Sequence, residues 1–294
     1  MSGQDPEPLS EIATPARVGV LGGGRMGAGI AHAFLLAGSQ VVVVERDEAS
    51  AAAAGERIRT SLQRSVDRGS TTRAIAALES ALETGVDTGS FAEAELVIEA
   101  VPEDRALKSE SLRRIEAAVS RTAAIASNTS SISINDLASA LQHPERFLGL
   151  HFFNPVPASS LIEIVVGGST NQELVDDARG WTEALGKTPV VVADAPGFAS
   201  SRLGVALALE AIRMLEEGVA TAADIDAAME LGYRHPAGPL RTTDIVGLDV
   251  RLGIAEELHA ALGERFAPPQ LLRDLVADGH LGRKTGRGFY EWSE

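Results

Sequence analysis

The sequence predicts an α/β domain followed by an all-helical domain, and three observations predict it. Short β-branched runs alternate with helical apolar spacing as far as Ala193. The first strand passes straight into a glycine-rich turn, a helix, a second strand and an acid, all within Arg17–Glu45. From Phe198 onward the strand pattern stops and broad helical stripes replace it. The expected layout is therefore a lead-in over residues 1–16, an α/β domain over 17–193 and a helical domain over 194–294.

With 294 residues, 45% of them hydrophobic, the chain can bury a core in each of two domains. The net charge is −15, from 26 Lys and Arg against 41 Asp and Glu. That balance argues against nucleic acid or an anionic membrane as a general partner. A polyanionic ligand would need a local basic patch. Cysteine is absent, which removes disulfides, thiolate nucleophiles and cysteine-based zinc sites. No metal site is expected, and a reducing, cytoplasmic setting is. Met1–Ala16 has neither a basic start nor an apolar core, so it reads as a disordered lead-in rather than a signal peptide. The longest run without Lys, Arg, Asp or Glu, Met26–Val44, contains His32 and is broken by Gly38-Ser39-Gln40. It reads as helix, turn and strand, not as a membrane span.

Arg17–Leu21 is a short apolar strand, and Gly22-Gly23-Gly24-Arg25-Met26-Gly27 follows at once. Met26–Ala37 has helical spacing and closes at Gly38; Gln40–Val44 is β-branched and ends in Glu45. In this layout Gly22 permits a sharp turn. Gly24 lets the backbone approach a pyrophosphate, and Gly27 lets the helix sit close to the strand. The helix N-terminus offers unpaired N–H groups and positive dipole to the phosphates. A carboxylate at Glu45 can accept both hydroxyls of an adenosine ribose and repels a 2′-phosphate, so NAD is expected over NADP. Arg46 works against that preference.

Ala49–Gly69 is a long helical segment with Arg57, Ser61, Arg64 and Arg68 on one face. Across Glu56–Arg73 five arginines meet two acids, a reversal of the overall charge. Such a face can receive the phosphates of a nucleotide-tailed substrate; it also suits a plain solvated helix surface. Val101-Pro102-Glu103-Asp104 opens the next helix after the strand Glu95–Ala100. Glu103 there either caps the helix or faces the nicotinamide side of the cleft. Ser127-Asn128-Thr129-Ser130-Ser131 leaves the strand Ala123–Ala126. Those groups can hold a carbonyl or hydroxyl, or cap the short helix near Ile134.

Leu150-His151-Phe152-Phe153-Asn154-Pro155 places one histidine at the exit of an apolar run. Glu163 is the only charge in the strand Leu161–Val166, where a buried carboxylate needs a partner. His151 is the best partner nearby, and a His–Glu pair fixes the imidazole tautomer and strengthens it as a base. Beyond Ala193, helices are expected over Arg202–Glu217, Ala222–Leu231, Ile245–Leu262 and Gln270–Asp278. Their wide stripes, with Leu203, Val205, Leu207, Leu209, Ile212 and Leu215 on the first, suit packing against a second copy as a homodimer.

These motifs together resemble the L-3-hydroxyacyl-CoA dehydrogenases, including bacterial 3-hydroxybutyryl-CoA dehydrogenases. The resemblance runs from about Ala16 to the C-terminus. It rests on Gly22–Gly27, Val97–Glu103, Ser127–Ser131, His151–Pro155, Leu185-Gly186-Lys187, Asp194–Phe198, Glu210-Ala211-Ile212, His235–Pro239, Gly247-Leu248-Asp249 and Gly282–Tyr290. It implies a Rossmann-type NAD-binding domain ahead of the all-α C-terminal domain, and NAD-dependent oxidation of a 3-hydroxyacyl-CoA. His151 would be the base, Glu163 its partner, and Ser130 and Ser201 the groups that hold the reacting oxygen. Gly22, Gly24, Arg25, Met26, Gly27, Glu45, Glu103, Lys108 and Asn128 would contact NAD or frame its site. Ser61, Arg68, Arg57, Arg64 and Asn154 would face the CoA thioester.

Two departures bear on substrate and rate. Ser201 stands where the family has an asparagine, a shorter group that loses the amide pair. Ala158-Ser159-Ser160 replaces a family segment carrying Met and Lys, and Arg241 is an unexpected charge after Gly238-Pro239-Leu240. These motivate two rival readings: a dehydrogenase for a carboxylated 3-hydroxyacyl-CoA or a free 3-hydroxy acid, and a nucleotide-binding homologue with impaired turnover.

Overall fold

The computed structural model describes residues 13–292. The expected disordered lead-in thus falls, for residues 1–12, outside the described residues. Its last part is tied down. The Ala16 N–H donates to Glu95 Oε2 at 2.7 Å, and the Ser39 hydroxyl bonds Thr14 Oγ1 and the Pro15 carbonyl. The chain divides after Asp194 into two compact units.

The first unit runs β1 (Arg17–Leu21), α1 (Arg25–Ala37), β2 (Gln40–Val44), α2 (Glu48–Asp67), α3 (Ile75–Ser80), β3 (Leu82–Gly85), β4 (Leu96–Glu99), α4 (Arg105–Ala118), β5 (Ala124–Ser127), α5 (Ile134–Ala138), β6 (Phe147–Phe152), β7 (Leu161–Val166), α6 (Gln172–Ala184) and β8 (Thr188–Ala193). Its eight strands form one sheet in the order β3-β2-β1-β4-β5-β6-β7-β8. All neighbours are parallel except β6 and β7. The order reverses between β1 and β4, and the crevice beyond the carboxyl ends of such strands is where α/β sheets bind ligands.

Near-continuous apolar strands, Val18, Val20, Val41, Val43, Leu96 and Ile98 among them, mark a sheet covered on both faces. α1 adds Ile30, Phe34 and Leu35 to the same core. Polar side chains start the helices at defined points. Asp47 accepts from Ser50 N at the head of α2, Asp104 from Leu107 N at α4, and Ser133 from Asp136 N at α5. The strand β3, short and only half buried, carries no apolar alternation and is absent from the sequence-based expectation.

The second unit is helical: α7 (Ser200–Glu216), α8 (Ala222–Tyr233), α9 (Pro239–Val246), α10 (Leu248–Leu262) and α11 (Gln270–Ala277). The single helix expected over Ile245–Leu262 is two. Gly247, at φ 108°, breaks it where an L side chain would be strained. Val205, Leu209, Ile212, Ile225, Leu240, Leu248 and Leu258 form the core. The chain's end is fastened by Asp244, whose carboxylate accepts from Phe289 N, Tyr290 N and Trp292 Nε1 at 2.8–2.9 Å. Among the described residues no helix is long and apolar enough to cross a membrane.

Candidate active site

The turn between β1 and α1 fits a dinucleotide. Gly22 has φ 98°, a conformation that favours glycine. A Cβ on Gly27 would lie 1.8 Å from the Gly22 carbonyl oxygen, so only glycine allows the helix to start this close to the strand. Gly24 and Arg25 are exposed at the head of α1, Met26 is half buried, and a Cβ on Gly24 would meet no protein atom within 4 Å. Glu45 ends β2 beside this turn, its Oε1 accepting from Gly23 N at 2.7 Å. The acid at the end of β2 and the glycine turn are thus held together. Arg46 is paired with Asp47 at 3.0 Å.

Glu103 does not cap α4; Asp104 does. Instead Glu103 gathers the serine-rich loop that leaves β5. Its Oε1 accepts from Thr129 Oγ1 at 2.6 Å, Ser130 N at 2.9 Å and Ser131 N at 3.1 Å, with the Ser130 hydroxyl at 3.3 Å. Burial opposes its ionisation. The Lys108 charge and the hydrogen bonds from Thr129 and Ser130 outweigh that and hold the carboxyl below its usual range. Lys108 is itself buried, with Nζ 2.9 Å from Glu99 Oε1 and 3.2 Å from Glu103 Oε2. It therefore frames the site through two carboxylates rather than presenting its charge to a ligand. Glu99 is fully buried and also accepts from Ser127 Oγ at 2.5 Å and Val101 N at 2.7 Å. Glu99 is not among the residues expected at the site; in the sequence it shares the run Glu95–Ala100 with Glu95, and only the observed strand leaves it as the one charge.

His151 and Glu163 are opposite residues across the antiparallel pair β6 and β7, so their side chains share a face. His151 Nδ1 lies 2.8 Å from Glu163 Oε2, and both residues are buried, at 6% and 1% exposure. The Phe153 ring sits 4.3 Å from the imidazole, centre to centre. Asn128 stands next to this pair in the fold. Its Oδ1 accepts from Phe152 N at 2.9 Å and ties the serine-rich loop to the strand that carries the histidine. Asn154, exposed, follows at a cis bond to Pro155. Asp194 was also missed. Its Oδ2 accepts from Ser133 Oγ, Asn135 N and Asn135 Nδ2 at 2.7–2.8 Å and holds the far end of the serine-rich loop.

The basic face of α2 is narrower than expected. Arg57 donates to the Gly23 carbonyl at 2.7 Å, so it braces the glycine turn. Ser61 bonds the Arg57 carbonyl, and Arg64 and Arg68 remain exposed. Ser201 lies in the first turn of α7, in the second unit. Arg241 stacks 4.4 Å over the Tyr290 ring and 5.6 Å from that of Trp292, which makes it a fastener of the chain's end.

Residues 17–195 match the family model described as "3-hydroxyacyl-CoA dehydrogenase, NAD binding domain", and residues 197–292 that of "3-hydroxyacyl-CoA dehydrogenase, C-terminal domain". The chain belongs to the 3-hydroxyacyl-CoA dehydrogenase family. A 3-hydroxybutyryl-CoA dehydrogenase of Mycobacterium tuberculosis is 43% identical over 284 residues, 94% of this chain and 98% of that protein. The mitochondrial hydroxyacyl-coenzyme A dehydrogenase of Rattus norvegicus is 40% identical over 94% of this chain and 90% of its own. The crystal structure of (S)-3-hydroxybutyryl-CoA dehydrogenase from Ralstonia eutropha matches with a TM-score of 0.91 at 37% identity, over 96% of this chain and 100% of that one. As a member of the family the protein is an NAD-dependent oxidoreductase.

Proposed function

We propose that the protein oxidises (S)-3-hydroxyacyl-CoA to 3-oxoacyl-CoA, reversibly, with His151 as the base. The buried His151–Glu163 pair is the observation that carries this reading. The bond to Nδ1 fixes the tautomer and directs proton transfer to Nε2, which takes the proton of the C3 hydroxyl. Glu163 then stabilises the imidazolium. NAD, when bound, accepts the hydride from C3. Gly22, Gly24 and Gly27 with the head of α1 hold its pyrophosphate, Arg25 and Met26 lie in the same turn, and Glu45 takes its ribose hydroxyls. Glu103, fixed by Lys108, sets the loop from which Ser130 supports the oxygen that gains charge, and Ser201 is the second hydroxyl assigned to that oxygen.

The nucleotide tail of the thioester lies along Ser61, Arg64 and Arg68, with Asn154 at the acyl side. We take the assembly to be a cytoplasmic homodimer joined through the helical unit. That unit carries Leu203, Leu231, Tyr233, Ile245, Val246 and Val250 as exposed apolar residues. An NADH absorbance assay over a panel of 3-hydroxyacyl-CoA thioesters and free 3-hydroxy acids tests the reading. Thioester-dependent NADH formation is expected. Turnover of the free acids alone, or none on any thioester, would contradict it.

A further inference from the structure

Helix α10 buries Leu248, Arg251, Ala255 and Leu258, a single stripe in which one position is a cation. Arg251 is 9% exposed, and its Nε has no hydrogen-bond partner. Among the described residues the ion pairs of the helical unit join Glu210 to Arg213, His259 to Glu264, Glu256 to Arg273 and Asp249 to Lys284, and none reaches Arg251. A buried charge without a counter-ion is costly. Burial weakens the hold of Arg251 on its proton, yet a guanidinium stays charged at neutral pH.

The space for this cation is made by a glycine. A Cβ on Gly204, in α7, would lie 3.2 Å from Arg251 Nη1. Gly204 follows Ser201 by three residues, about 4.5 Å along the helix. We propose that Arg251 is the counter-charge for a carboxylate at the end of the substrate's acyl chain, with Gly204 keeping the guanidinium in place. The two residues would then determine specificity for 3-hydroxyacyl thioesters that end in a carboxylate. This rests on the reading of Ser201 as a group that holds the C3 oxygen. Gly204 and Ser201 are three residues apart on α7, so they lie on neighbouring turns of one helix face. A guanidinium fork also matches a carboxylate in a two-point pair. Arg241 is exposed and stacks on Tyr290 and Trp292, and Arg213 donates to the Ala267 carbonyl, so neither offers a buried unpaired charge.

Calorimetric titration of the full chain with adipyl-CoA and hexanoyl-CoA tests this without turnover, since neither carries the hydroxyl to be oxidised. The wild type is expected to bind adipyl-CoA at least about tenfold more tightly, the worth of one charged hydrogen-bonded pair. R251M should bring the ratio to about 1, R251K should keep part of it, and G204A should reduce it by crowding the guanidinium. Equal affinities in the wild type would overturn the assignment, as would an undiminished preference in R251M. So would an R251M loss of the same size for CoA alone, which would make the anion a phosphate. Binding of neither thioester would instead bring down the dehydrogenase reading.

Discussion

His151 and Glu163 meet because of register. They are separated by twelve positions in the chain, and a reversal between β6 and β7 brings them opposite one another. The lone charge in an apolar strand was legible in the sequence. The antiparallel turn that supplies its partner was not, since strand direction is set by the whole sheet. Glu103 is the converse case. Its place at a helix start left capping and a position facing the cleft both open, and its bonds go to a loop formed far along the chain, around Thr129–Ser131. Its carboxyl is held below the usual 4.5, so an unfolded chain takes up the proton first as pH falls. The stability Glu103 contributes is present above about pH 4.5 and is lost as pH falls through the folded value. Urea unfolding of wild type and Glu103→Gln should therefore show its widest gap near neutral pH, about 1–3 kcal/mol or less given partial exposure, closing in acid. A gap of constant size down to acid pH would contradict this.

At the scale of elements, β1, the glycine turn, α1 and β2 were readable because each carries its own local signal. β3 and the split at Gly247 were not. β3 has no apolar period of its own, and helical spacing continues through Gly247 in the sequence while the backbone does not. The arginines of α2 share a face by periodicity, but only the fold shows that Arg57 turns to Gly23. On the proposed reading this divides the face into two roles. Replacing Arg64 and Arg68 with serine should raise KM for the thioester about tenfold and leave KM for NAD alone. Arg57→Ser should do the opposite. Steady-state kinetics with each substrate varied in turn checks both, and a thioester KM unchanged in the double variant would remove this face from the site.

For the whole molecule, the succession of an α/β sheet and a helical unit followed from where strand alternation stops. Assembly does not follow in the same way, because an apolar residue facing solvent and one facing a partner look alike in a sequence. Leu231 and Tyr233 are 83% and 75% exposed, a large apolar area for a surface to leave in water. Light scattering should give a mass near twice 30.7 kDa, and glutamate at both positions should bring it to about 30.7 kDa. A wild-type mass of one chain would contradict the dimer. If His151 moves the proton, its loss shows in the rate of NADH formation by His151→Ala, measured alongside the variant's affinity for NAD. A fall of about 10²- to 10⁴-fold in rate with NAD affinity nearly unchanged is expected. Turnover at the wild-type rate in that variant would contradict it.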